Sequence, residues 1–203
     1  MAMQEISLQC ECGSVEGKAI NLSDKTDNRV ICYCDDCQVY AHYLGNPTKI
    51  LDKNGGTDIY QLTPSQFKLT KGQENISCLT LSPKGLLRWY CKNCKSPIAN
   101  TVRNPKVPFT GIPHTFIKDK NRDEILGPVR MRIQGRFKKG TSKDEIYDRV
   151  PLKFMLRYIR QFFTSYMKSK YIPSSLYDFD RRQFLVNSEL ADKKKLDKIR
   201  AKV

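Results

Sequence analysis

The sequence predicts a mainly β, metal-binding domain over residues 1–140, followed by a basic helical extension over 141–203. Three observations lead there. Seven of the eight cysteines fall into three tight clusters: Cys10-Glu11-Cys12, Cys32-Tyr33-Cys34-Asp35-Asp36-Cys37 and Cys91-Lys92-Asn93-Cys94. Short β-branched or alternating runs separated by Gly, Pro and Asn turns fill the stretches around them. Beyond Gly140 the apolar spacing becomes helical. An apolar fraction of 39% in 203 residues suits one substantial core plus an appendage.

Taken in order, residues 6–17 form a strand broken at Cys10-Glu11-Cys12-Gly13, where the glycine supplies the sharp turn. Residues 21–28 have the composition of a polar turn. Residues 29–32 form a strand that delivers Cys32 and Cys34. Asp35 or Asp36 then caps a helix from about Cys37 to Leu44, stopped by Gly45. Residues 57–62, 67–69, 76–81, 86–91 and 98–102 are further strands, and Ser82-Pro83-Lys84-Gly85 is a tight turn between two of them. Residues 104–113 carry Pro105, Pro108 and Pro113 and are expected to be a loop. Residues 129–133 alternate as a half-exposed strand. The first 140 residues are thus mostly antiparallel β with one short helix.

From Pro151 to Met167, Leu152, Met155, Leu156, Ile159, Phe162, Phe163 and Tyr166 recur at helical spacing, with Lys153, Arg157 and Arg160 on the other side. This stripe is expected to pack on the domain or on a twin chain, making a homodimer. Residues 188–202, with Lys193-Lys194-Lys195, read as an exposed terminal helix or a frayed tail with a solvated charge run.

Lys and Arg outnumber Asp and Glu by 36 to 21, a formal charge of +15. That balance favours anionic partners: nucleic acid, acidic headgroups, or a small carboxylate-bearing thiol. No nucleic-acid motif accompanies it. No run is long and apolar enough for a signal peptide or a bilayer span, so the expectation is a cytoplasmic protein with no membrane partner. In that compartment thiols stay reduced, and clustered cysteines point to metal before disulfides.

Zinc is the simplest occupant. Four thiolates make a closed structural site, whereas three protein ligands leave a position for chemistry. Cys10, Cys12, Cys91 and Cys94 form a four-sulfur set from two distant knuckles, leaving Cys32, Cys34 and Cys37 as a three-sulfur set; other pairings of the clusters satisfy the spacing too. A purely structural alternative completes the second set with His42, five residues beyond Cys37. Cys78, within an apolar strand, reads as a core thiol, and His114 as a loop histidine. A redox role for Cys34 and Cys37 lacks the βαβ context it needs.

In order and spacing, Cys10-x-Cys12-Gly13, Cys32-x-Cys34-x-x-Cys37 and Gly85-Leu86-Leu87-Arg88-Trp89-Tyr90-Cys91-x-x-Cys94 resemble the glutathione-dependent formaldehyde-activating enzyme family, which includes the centromere protein V domain. The resemblance covers roughly residues 6–140. It implies a β-tent of small antiparallel sheets around two zinc ions per chain. Cys10, Cys12, Cys91 and Cys94 would hold the structural ion. Cys32, Cys34 and Cys37 would hold the catalytic one, where glutathione binds and its hydroxymethyl adduct forms. Two positions depart from the family pattern: Tyr33 stands where it has histidine, and Lys95 where it has glycine. A lysine there costs on the order of 1 kcal/mol in a left-handed turn, or takes another turn.

The implied activity is that of a zinc-dependent carbon–sulfur lyase, joining a thiol to a small aldehyde or cleaving the adduct. The competing expectation is a non-catalytic zinc scaffold that binds a protein or nucleic acid through its basic surface.

Overall fold

A computed structural model describes residues 4–22 and 28–203. In chain order the strands are β1 (Gln4–Gln9), β2 (Glu16–Leu22), β3 (Arg29–Cys32), β4 (Thr57–Leu62), β5 (Phe67–Lys71), β6 (Ile76–Thr80), β7 (Leu87–Cys91), β8 (Pro97–Thr101), β9 (Thr110–Pro113), β10 (Met131–Ile133), β11 (Tyr177–Asp178), β12 (Gln183–Phe184) and β13 (Ser188–Leu190). The helices are α1 (Asp35–Leu44), α2 (Pro47–Ile50), α3 (Arg122–Leu126), α4 (Leu152–Met167) and α5 (Lys193–Arg200). The polar turn expected over residues 21–28 lies mostly outside the described residues, though Asn21 and Leu22 end β2.

Two sheets carry the fold. β1, β2 and β5 form a three-stranded antiparallel sheet. The larger sheet runs β10-β3-β4-β9-β8-β7-β6-β13. Its six inner strands pair antiparallel, while β10 joins β3 and β13 joins β6 in parallel. The main core lies between the two: Ile6 and Leu8 of β1 and Phe67 of β5 cluster with Trp89, Ile98 and Ile112 of the large sheet. Trp89 is fully enclosed, and its indole N–H donates to Thr101 Oγ1 at 2.9 Å. Burying such rings between two apolar faces is what drives the sheets together. A second cluster joins Val39, Tyr40 and Leu44 of α1 to Leu79, Leu81 and Leu196.

Four expectations need correction. The proline-bearing segment 104–113 is not all loop, because residues 110–113 form β9 in the interior of the large sheet. Pro113 sits at the strand's last position, opposite Ile59, where a missing N–H is tolerated. Gly111 makes the close packing feasible: a Cβ there would meet Ile59 at 3.0 Å. Residues 188–190 are neither helix nor tail but β13, continued by Ala191 N–H donating to Thr80 O at 2.9 Å. A three-residue edge strand is too short to show a period in the sequence.

α1 begins at Asp35, with Cys34 in the N-cap position and no side-chain cap. Asp35 and Asp36 instead pair with the Arg200 guanidinium of α5, the Asp36 contact measuring 2.6 Å. The terminal helix α5 is docked through Leu196 and through Lys195 Nζ donating to Tyr43 O at 3.1 Å, while Lys193, Lys194 and Lys195 stay exposed, as expected of a solvated run.

Finally, of the two coverings expected for the α4 stripe, the domain or a twin chain, the domain supplies little: Phe162 lines one of its clefts, while most of the stripe is exposed. Phe154, Tyr158, Gln161 and Ser165 share the face turned inward, and only Ser165 is buried. Leu156, Ile159 and Phe163 lie on roughly the opposite side at 100° per residue, too far round for one surface to cover both. No helix among the described residues is long and apolar enough to cross a membrane.

Candidate metal centres

The first centre grows out of two matched knuckles. After β1 the chain folds back on itself: Gly13 N–H donates to Cys10 O at 3.0 Å, and Cys10 N–H to Val15 O at 3.0 Å. Gly13 takes the left-handed φ of 72° that the turn requires. After β7, Lys95 N–H donates to Cys91 O at 3.0 Å, and Cys91 N–H to Ser96 O at 2.9 Å. Lys95 itself adopts φ 59°, so the lysine keeps the left-handed turn and bears the strain.

The knuckles face each other across the two sheets, bound by Glu11 N–H donating to Ser96 Oγ at 3.1 Å. Cys10, Cys12, Cys91 and Cys94 present four sulfurs within 4.8 Å of one another and could hold a metal ion. Cys10 and Cys12 sulfurs are 3.5 Å apart, Cys12 and Cys91 3.8 Å. A tetrahedral ion with bonds of about 2.3 Å asks for edges of about 3.8 Å, so the donor set matches zinc in softness and size. Ser14 lines the same centre, its Oγ 2.9 Å from Cys12 and 3.4 Å from Cys91.

The environment splits these thiols. Burial pushes Cys10 up to about 11. The Ser14 hydroxyl and backbone bring the exposed Cys12 down to about 6. Cys94, against some burial, is lowered by the Ser96 hydroxyl, whose Oγ is 3.1 Å away.

In the second centre Cys32, Cys34 and Cys37 bring three sulfurs within 4.8 Å and could likewise hold an ion. β3 delivers Cys32, the turn into α1 delivers Cys34, and the first helical turn delivers Cys37. Cys37 N–H donates to Cys34 O at 3.1 Å and Gln38 N–H at 3.2 Å, which fixes the arc. Tyr33 is buried, and its hydroxyl donates to Asp52 at 3.1 Å. Gln38 Nε2 donates at 2.8 Å to both Tyr33 O and Phe137 O, stapling the arc to the segment after β10.

Hydrogen bonds from Cys32 and Cys34, aided against burial by Arg88, hold Cys37 well below the usual thiol range. Cys32 is driven up by donating to the other two sulfurs and by burial. Cys34 accepts from Cys32, which lowers it, but donation to Cys37 and burial push it up to about 12. The trio therefore shares its charge, most of it on Cys37.

Arg88 is the neighbour that explains this. It is 3% exposed, its guanidinium lies 4.9 Å from the Tyr40 ring centre, and the charges around it include Cys37 and Cys34. A buried cation must be paired, and here Cys37, which carries most of the trio's charge, is the foremost partner. Burial also lowers Arg88, but the Cys37 and other negative charges more than offset this and leave it raised.

The two expected sulfur sets are thus the two that come together. Among the described residues no imidazole or carboxylate groups with the second set, and His42 is not part of it. Burial, then the nearby Lys139 charge, lowers His42 below its usual range. Cys78 is buried opposite Trp89 in the β6–β7 ladder, as a core thiol should be. Sequence reasoning did not reach Arg88, Ser14 or Arg200. The signal for Arg88 was a lone cation within Leu86-Leu87-Arg88-Trp89, a run otherwise apolar.

Among known proteins, residues 2–183 match the profile described as "Family of unknown function (DUF6151)". No curated protein matches. A crystal structure of a Rhodobacter sphaeroides protein, a structural-genomics target, is 19% identical and superposes with a TM-score of 0.44 over 61% of this chain and 97% of its own.

Proposed function

The chain belongs to the DUF6151 family of unknown function, and we propose that it is a zinc-dependent carbon–sulfur lyase, binding a thiol such as glutathione and joining it to a small aldehyde. The resemblance of its cysteine pattern to the glutathione-dependent formaldehyde-activating family supports this reading. So does one observation above the rest: three cysteine sulfurs converge, and no fourth protein donor is grouped with them among the described residues. In this reading the four-sulfur set holds a structural zinc, and Cys32, Cys34 and Cys37 hold a second zinc that can accept one more sulfur. Bound there, zinc would supply a lowered pKa for the incoming thiol.

The chain's own residues do the rest. Cys32, Cys34 and Cys37 present soft donors on a short arc, held rigid by Gln38 and by the Tyr33–Asp52 hydrogen bond. Arg88 offsets their negative charge from the buried side, so an anionic sulfur approaches a centre that is not strongly repulsive. In the addition the substrate sulfur bonds to the carbonyl carbon as the carbon–oxygen π bond opens. The proton lost from sulfur ends on oxygen, with no change of oxidation state.

The test is calorimetric titration of glutathione into protein carrying two zinc ions, beside the Cys34→Ser variant. Saturable binding lost in a variant that still melts cooperatively supports the proposal. Equal heats for both proteins, or none for either, would count against it.

A further inference from the structure

Among the described residues, most of the large hydrophobic side chains left exposed lie on α4. Leu152, Leu156, Ile159, Phe163 and Met167 are each 59–66% exposed. At 100° per residue they fall within an arc of roughly 80°, and Met155, Phe162 and Tyr166 widen it to roughly 140°. The helix meets the body along its inward row, where Phe162 joins Tyr158, Gln161 and Ser165 over an apolar cleft of about 310 Å³ lined by Leu62, Phe109, Met131 and Ile133. A solvated helix would not place so much apolar surface on the side away from its own core.

Charge decides what covers it. Arg160, Lys153, Arg157 and Lys168 form the next band round the helix, beside the apolar arc. Residues 151–177 contain five basic side chains, Lys170 being the fifth, and no Asp or Glu. A second copy docked on this face would bring two all-basic bands to one seam with no acidic complement. A nucleic acid would pair with the basic band but leave the apolar arc in water. A bilayer surface rich in anionic headgroups satisfies both at once, with the apolar arc entering the acyl boundary and the basic band meeting phosphates and carboxylates.

We propose that α4 is an interfacial helix that docks this protein on an anionic lipid surface. The expectation of no membrane partner rested on the lack of a spanning segment, and peripheral docking needs none.

The test is flotation of the full-length protein with vesicles of phosphatidylcholine alone or with one-third phosphatidylserine. Headgroup contacts from three of the four side chains in the basic band predict binding on the order of 100-fold stronger to the anionic vesicles at low salt, weakening steeply as salt rises. The double variant I159E/F163E, at positions where the wild-type side chains touch mostly solvent, should keep the wild-type melting temperature and lose at least about tenfold in vesicle binding. R160E/K168E should lose the preference for anionic lipid. Equal recovery with both vesicle types, or undiminished flotation of I159E/F163E, would overturn the proposal. So would absence of flotation with a concentration-dependent dimer that I159E/F163E abolishes, which would assign the face to a second copy.

Discussion

The first centre joins parts of the chain far apart in sequence, and the second does not; this difference sets the expected cost of losing each metal. Cys12 and Cys91 are separated by 79 residues, whereas Cys32 and Cys37 are five apart. Chain-entropy arithmetic gives about 4.5 kcal/mol for closing the longer loop and about 2 kcal/mol for the shorter, as upper bounds. The difference of about 2.5 kcal/mol is the more reliable figure, because shared errors cancel. The long closure also ties the three-stranded sheet to the eight-stranded one at the edge of the core. For a chain of this size, 1 kcal/mol moves the melting temperature by about 2–4 °C.

Cys91→Ala/Cys94→Ala should therefore melt at least about 5 °C below Cys34→Ala/Cys37→Ala. Scanning calorimetry of both, each with one equivalent of zinc, makes the comparison. A part of the Cys91 effect is cavity formation in the core, so chelator titration of the wild type provides the control: the last metal removed should coincide with the larger loss of stability. Equal melting temperatures for the two variants, or a larger loss at the Cys34/Cys37 centre, would refute the sheet-clip argument.

Other outcomes follow from the same structure. Lys95→Gly relieves a left-handed lysine and should raise stability by about 1 kcal/mol, read from urea midpoints with an unchanged slope; a destabilised variant would contradict the strain at φ 59°. Arg88→Met leaves the thiolate trio without its buried cation and should weaken zinc at the second centre about 10–100-fold, leaving the first unchanged in a chromophoric-chelator competition. Burial holds His114 below its ordinary value near 6.5, partly opposed by Asp58. Its stabilising share is thus complete above 6.5 and is lost as the pH falls through the depressed folded value. His114→Gln should flatten that part of the curve of urea midpoint against pH, whereas an identical slope in the variant would remove His114 as its source.

Much of this was legible in the sequence because it is written locally. Cysteine spacing identifies both sulfur sets, since knuckle turns are short and their ligands adjacent. Strands β3, β4, β6, β7 and β8 show their β-branched or apolar runs directly. β9 was hidden by prolines that sit before the strand or at its last position, where a missing donor does no harm. β13 and the role of Arg200 depend on contacts across more than a hundred residues, and no local pattern encodes them. Periodicity located α4, but it marks an apolar face without saying what covers it. Arg88 could be noticed as an oddity, yet its partner became evident only when β7 was set beside α1.

Cobalt substitution tests the open fourth position at the three-sulfur centre most directly, because sulfur-to-cobalt charge transfer reports how many thiolates bind each ion. Loaded with two cobalt ions per chain, the protein should show one four-sulfur spectrum and one three-sulfur spectrum. Glutathione should then convert the second into a four-sulfur form, with Cys34→Ser unresponsive. A spectrum unmoved by glutathione, a second ion that already carries a histidine ligand, or only one ion bound per chain would contradict the account.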